Sequence, residues 1–197
     1  MGTDKALLPW PPASPGSAPS GRTFLSSAIE TLNNCSDEVL VIAGKNAANI
    51  EPVVYANGAS LIRNPVPERG QFSSLQVGLQ EVLNRGRDAA IVTLVDRPPA
   101  KRETLQALCD AFSAAPHGTW ALVPQYDGKH GHPFFIGRQM IQAFLKAPPT
   151  SNAREVEHQN QEHIQYFLVD DPAVTLNVDT PEDYALVLAS RPQKVAE

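Results

Sequence analysis

The sequence predicts an α/β protein: a sheet of parallel strands covered by helices on both faces. Three observations lead there. Short continuous apolar runs at 38–43 and 89–95 stop abruptly at Gly44 and Asp96, the pattern of strands buried on both sides. Longer segments between such runs carry apolar residues at helical spacing, and the alternation of the two is the signature of βαβ units. The chain has 197 residues, of which 42% are hydrophobic and 19% charged, enough for one domain over 1–197 with one sizeable core.

In chain order, residues 9–20 hold Pro and small polar residues that build neither helix nor central strand, so a mobile insertion is expected over about 10–22. Thr23 then caps a helix with Phe24, Leu25, Ala28, Ile29 and Leu32 on one side, ended by Asn33-Asn34. Glu38 to Ala43 is a strand and Ala59 to Arg63 a weaker one. Gln71 to Asn84 is helical through Leu75, Leu79, Val82 and Leu83. Ala89 to Val95 is the best strand, and Lys101 to Ala114 is a helix with Leu105, Leu108 and Phe112 inward. Thr119 to Val123 and Pro133 to Ile136 follow as strands, and Arg138 to Lys146 as a helix. Asn152 to His163 reads as a solvated helix, Ile164 to Val169 and Val174 to Val178 as strands, and Pro181 to Ala189 as a closing helix.

Sixteen Lys and Arg stand against 21 Asp and Glu, a net charge of −5. That balance argues against nucleic acid and anionic membranes as partners, since both demand a basic footprint. No apolar run has the roughly 20 residues of a membrane span, and the N-terminus lacks signal-peptide character, so a cytoplasmic protein is expected. Cys35 and Cys109 share no motif and read as small buried hydrophobes without a function.

In an open α/β sheet ligands bind beyond the carboxyl ends of the strands. Asp96 stands there, directly after the apolar run and before Pro98-Pro99; it is either a hard oxygen ligand for Mg²⁺ or a cap for the following turn. Asn64 to Leu75 is a loop feeding a helix N-terminus. Gly70 permits close backbone approach of an anion there, while Ser73 or Ser74 also fits a plain N-cap. In Asp179-Thr180-Pro181-Glu182-Asp183-Tyr184 a helix start accounts for all but Asp179, which is left to supply a second carboxylate. Gly128 to Pro133 holds a His-x-His pair without further ligands at zinc spacing, so His132 reads as a substrate contact. His117, His158 and His163 read as solvent-facing. Lys5, taken alone, reads as a solvated lysine.

Taken in order, Met1-Gly2-x-x-Lys5-Ala6-Leu7-Leu8-Pro9-Trp10, Asn64-Pro65 through Gly70 with Ser73-Ser74-Leu75, Asp96-x-Pro98, Gly128 with Gly131-His132-Pro133, and Asp179 to Tyr184 resemble the molybdenum-cofactor cytidylyltransferase family of the MobA-like NTP transferases. The resemblance spans nearly the whole chain. It implies a Rossmann-like, three-layer fold of the glycosyltransferase-A type with a mostly parallel central sheet. It also implies transfer of CMP from CTP to the molybdopterin cofactor with release of pyrophosphate. Lys5 would then neutralise the triphosphate, Asp96 and Asp179 would hold Mg²⁺, Asn64, Gly70, Ser73 and Ser74 would cradle the nucleotide, and Gly131, His132 and Pro133 would border the pterin. Such chemistry needs positioning and charge neutralisation, with no protein nucleophile.

Two departures from the family pattern carry expectations. Relatives place a strand and the loop Leu-Ala-Ala-Gly-x-Ser-x-Arg directly before the Met-Gly that stands here at residues 1 and 2. The start is therefore expected upstream of Met1, or the chain is a degenerate member with weakened nucleotide affinity and an exposed sheet edge. The insertion after Trp10 is expected to loosen Lys5. Guanylyl transfer, nucleotidyl transfer to another phosphorylated acceptor, and a non-catalytic carrier delivering the cofactor to a molybdenum hydroxylase are the alternatives.

Overall fold

Strand β1 (Leu40–Ala43) lies parallel to β2 (Ser60–Arg63), in register from Leu40 opposite Ser60 to Ala43 opposite Arg63. These strands belong to a computed structural model that describes residues 4–11 and 21–189. Met1, Gly2 and most of the expected insertion lie outside the described residues. Ahead of β1, helix α1 (Phe24–Asn33) starts at Thr23, whose hydroxyl accepts the Ser26 N–H while Ser26 Oγ accepts the Thr23 N–H, the reciprocal arrangement of a capping box.

The crossover from β1 to β2 is helix α2 (Ala47–Ala56), which the sequence pattern did not disclose. Pro52 lies inside it and reads as a breaker. Burial of Ile50 and Val54, one turn apart, against the apolar cluster around β1 and β2 overrides that local signal.

A second, separate sheet contains β3 (Ala89–Val92), β4 (Ala121–Tyr126), β5 (Lys129–His130), β6 (Phe134–Gly137) and β7 (Ile164–Leu168). Strand β6 lies between β3 and β4 and is antiparallel to both; β5 is antiparallel to β4, and β7 parallel to it. The sheet is thus mixed and not mostly parallel. The cause is local. After β4 the chain reverses at Asp127-Gly128, both at positive φ, and a return this short delivers only antiparallel neighbours. Strand β3 ends at Val92, short of the expected Val95, because its partner β6 begins at Phe134. Among the described residues β1 and β3 each pair with one strand only, and helix α3 (Gln71–Asn84) packs against both.

The main core lies between α3, β4, β6 and helix α5 (Arg138–Lys146), where Ile136, Met140, Ile141 and Phe144 are fully buried. Each such side chain contributes about 2 kcal/mol by leaving water. Helix α6 (Ala153–Gln159) adds Val156, and helix α7 (Pro181–Ala189) closes the described chain.

The strand expected over Val174–Val178 is absent. Residues Pro172–Thr175 form a 3-10 turn, because the Asp171 carboxylate accepts the Ala173 N–H at 3.1 Å and caps it. The other Asp171 oxygen accepts the Lys101 N–H and the Thr104 hydroxyl, each at 2.9 Å, at the start of helix α4 (Arg102–Ser113). One carboxylate, only 1% exposed, therefore caps two elements. Asp171→Ala is expected to lower the unfolding free energy by about 2–4 kcal/mol in urea denaturation, with Asp171→Asn recovering part of the loss.

Candidate active site

The chain leaving β3 and the chain entering α7 meet at one backbone bond, Val178 N–H to the Asp96 carbonyl at 2.9 Å. That bond brings Asp96 and Asp179 to the same corner of the molecule. Between them stands Lys5, whose Nζ lies 2.8 Å from Asp179 Oδ1 across 174 positions of sequence. Lys5 and Asp96 line one narrow cleft with Leu8, Phe24, Val95 and Val178. Among the described residues Asp96 Oδ1, buried there, has no hydrogen-bond partner, and an anionic oxygen in that condition is costly unless a cation meets it.

Local structure holds Lys5 in place despite the nearby insertion. The Asp4 carboxylate accepts the Ala6 N–H at 3.1 Å and Asn46 Nδ2 at 2.7 Å, and Ala6 is buried. Further along, Phe24 N–H donates to the Leu8 carbonyl, Trp10 N–H to that of Arg22, and the Tyr184 hydroxyl to that of Pro9. Asp179 is exposed and also accepts Asn177 Nδ2. Thr180 and Asp183 complete a reciprocal cap of α7. The Thr180 N–H donates to the Asp183 carboxylate at 2.9 Å and the Thr180 hydroxyl accepts the Asp183 N–H at 3.1 Å, and the contacts with Thr180 hold the Asp183 carboxyl below its usual range.

Asn64, Gly70, Ser73 and Ser74 are brought together, and much of their polar capacity is spent on each other. Buried Asn64 donates from Nδ2 to Ser73 Oγ at 2.8 Å and to Ser74 Oγ at 3.0 Å, and its Oδ1 accepts the Val66 N–H. Ser73 Oγ donates to the Gly70 carbonyl at 2.7 Å. These side chains shape the loop. What the loop presents outward is backbone: Gly70, at φ +86° with open space where a side chain would be, precedes α3 without a side-chain cap on its first amides.

Gly131 and Pro133 are buried, and His132 between them is half-buried. Gly131 N–H donates to the Pro124 carbonyl and His132 N–H to that of Val174, each at 2.8 Å. Burial, then the nearby Arg97 charge, lowers the His132 imidazole to about 4. The ring is therefore neutral at pH 7. The unfolded chain binds this proton below its ordinary pKa of about 6.5 while the folded chain does not. The resulting stability is present above that pH and is lost as pH falls toward 4. His132→Gln is expected to flatten this slope, which amounts to up to about 3 kcal/mol between about pH 7 and pH 4, read by urea unfolding across that range.

Arg97, between Asp96 and Pro98-Pro99, is not among the candidate site residues read from the sequence. Its Nη1 donates to the Leu176 carbonyl at 3.1 Å, its buried Nε has no hydrogen-bond partner among the described residues, and it lines a second cleft with Thr93 and Pro133. A cation directly after a strand-end carboxylate was the available signal. Of the histidines read as solvent-facing, His117 and His158 are exposed, whereas His163 stacks on Trp120 at 3.8 Å. Among the described residues no three His, Cys, Asp or Glu cluster as a metal site, and no helix is long and apolar enough to cross a membrane.

The described residues offer an acidic corner with an ammonium and, in the 64–74 loop, a helix N-terminus without a side-chain cap, features suited to a cation and to a phosphorylated ligand. A family model described as the MobA-like NTP transferase domain matches residues 1–164. The chain belongs to that family. The molybdenum cofactor cytidylyltransferase of Escherichia coli K12 is 23% identical over 189 residues, covering 93% of this chain and 86% of that protein. A probable molybdenum cofactor guanylyltransferase of Rhodopirellula baltica is 28% identical over 116 residues, covering 59% of this chain and 51% of that protein. Among solved structures, Rv0371c of Mycobacterium tuberculosis H37Rv superposes with a TM-score of 0.75 at 23% identity, covering 97% of this chain and 92% of its own. Its manganese complex gives 0.74 at the same identity, with 95% and 92% covered. A nucleotidyl transferase from Methanothermobacter gives 0.72 at 17% identity, with 95% and 86% covered. The MobA-like chain thus has a fold shared with nucleotidyltransferases.

Proposed function

We propose that this MobA-like chain is a Mg²⁺-dependent cytidylyltransferase that moves CMP from CTP to a terminal phosphate of the molybdopterin cofactor and releases pyrophosphate. One observation carries the reading: the buried, unpartnered Asp96 Oδ1 shares a cleft with Lys5, whose ammonium reaches Asp179. Two carboxylates suit Mg²⁺, which fills the rest of its octahedron with water and substrate phosphates. When bound, the ion supplies positive charge to the triphosphate as a Lewis acid.

In this reading Asp96 and Asp179 hold the cation and Lys5 turns from Asp179 to the triphosphate. The loop organised by Asn64, Ser73 and Ser74 offers the amides at Gly70 and the start of α3 to the nucleotide. His132, uncharged, contacts the acceptor without placing a competing cation beside Arg97, while buried Gly131 and Pro133 set its backbone. The names of the relatives support a cofactor of molybdenum enzymes as acceptor, and they divide between cytidylyl and guanylyl transfer.

Incubating the purified chain with molybdopterin cofactor, Mg²⁺ and each nucleotide, while measuring pyrophosphate, tests the reading. Release with CTP alone is expected. Release with GTP alone transfers the assignment to guanylyl chemistry, and tight cofactor binding without release from any nucleotide favours the carrier that serves a molybdenum hydroxylase.

A further inference from the structure

The two cysteines, read from sequence as unrelated, lie together. Cys35 follows the end of α1, its N–H donating to the Leu32 carbonyl at 2.9 Å, and Cys109 stands on α4. Both are free and half-buried, and both pack against the cluster of Leu105, Leu108, Leu122 and Phe135. The Cys35 sulfur lies 3.9 Å from Gln106 Oε1, on α4 one turn before Cys109, so the Cys35 thiol reaches the face of α4 that carries Cys109.

Leu32 on α1 and Leu105 on α4, each about one turn ahead of a cysteine, both line the cleft that also holds Arg97 and Pro133. We propose that Cys35 and Cys109 are a reversible disulfide pair that ties α1 to α4 and clamps this cleft. A crosslink at this place joins the two helices one turn behind the residues they give to the cleft.

Burial, with the neighbouring Cys35 thiol, pushes Cys109 up to about 12, which keeps it protonated and slow to attack unaided. The sequence of steps therefore starts at Cys35. Its thiolate attacks one sulfur of a low-molecular-weight disulfide, oxidised glutathione, forming a mixed disulfide and releasing one glutathione thiolate. Cys109 gives up its proton to solvent as its sulfur attacks the Cys35 sulfur, expelling the second glutathione thiolate. Two protein thiols are oxidised and one glutathione disulfide is reduced to two thiols, with the released protons taken up by the leaving thiolates.

The test treats the full chain with oxidised glutathione, quenches with an alkylating agent, and reads intact mass, non-reducing peptide maps and thermal unfolding. The expected product has lost two hydrogens, takes no alkyl group, yields a linked Cys35–Cys109 peptide, and unfolds roughly 5–15 °C higher until dithiothreitol is added. Cys109→Ser is expected to stop at a glutathione adduct on Cys35. Two alkylated cysteines, separate adducts on each, or a link between two chains overturns the pair, and an internal link that leaves the midpoint unmoved overturns the clamp. All four outcomes are read on the unmutated chain and are independent of nucleotide turnover.

Discussion

Asp96→Asn is expected to cut nucleotidyl transfer by about 10²- to 10³-fold or more while leaving the unfolding free energy unchanged or raising it by about 1 kcal/mol. The two halves of this expectation have one cause. The unmutated chain buries a carboxylate oxygen that no group among the described residues hydrogen-bonds, and the amide replaces it with a neutral group of the same shape. A residue whose removal relieves the fold but ends the chemistry is held for a ligand. A turn cap behaves in the opposite way, because losing it weakens the start of the following element. Pyrophosphate release and urea unfolding on the same preparation separate the two. Near-full activity, or a loss of activity matched by a loss of stability, would sink the metal assignment.

Gly131→Ala is expected to destabilise the chain by about 3 kcal/mol or more, a fall of roughly 6–12 °C in the unfolding midpoint. An added Cβ would sit 2.2 Å from the Val174 carbonyl oxygen and 2.6 Å from its carbon, both backbone atoms with no rotamer to yield. The same carbonyl accepts the His132 N–H, so the turn that must move is the one that sets His132. The variant should therefore lose part of the acid-side slope attributed to the buried imidazole. A near-normal midpoint with that slope intact would show that the 172–176 turn shifts freely. The expected loss comes from the close approach of the Gly131 backbone to the Val174 carbonyl, which the sequence alone does not disclose.

Much of the fold was legible because burial on one or both faces leaves a period in the sequence. The helices Phe24–Asn33, Gln71–Asn84 and Arg138–Lys146 stand within a residue or so of where their apolar stripes place them. Periodicity fails where a single residue competes with packing. Helix α2, with Pro52 inside it, was not read from the sequence, and the apolar run Val174–Val178 reads as a strand although Asp171 curls its start into a turn. Pairing direction was also beyond reach, since the mixed sheet follows from the path of the chain around Asp127-Gly128.

The sequence by itself determined the class of elements, the acidic balance that disfavours polyanions, and the residues able to do phosphate chemistry, because these depend on side-chain type and local spacing. Only the tertiary structure decided which of them meet. It seated Lys5 on Asp179, buried Asp96 Oδ1 unpartnered beside them, turned Asn64, Ser73 and Ser74 toward one another, and put Cys35 against Cys109. The physical reason is that hydrogen bonds and ion pairs act over a few ångströms of space, and groups distant along the chain come within that range only after the core has packed.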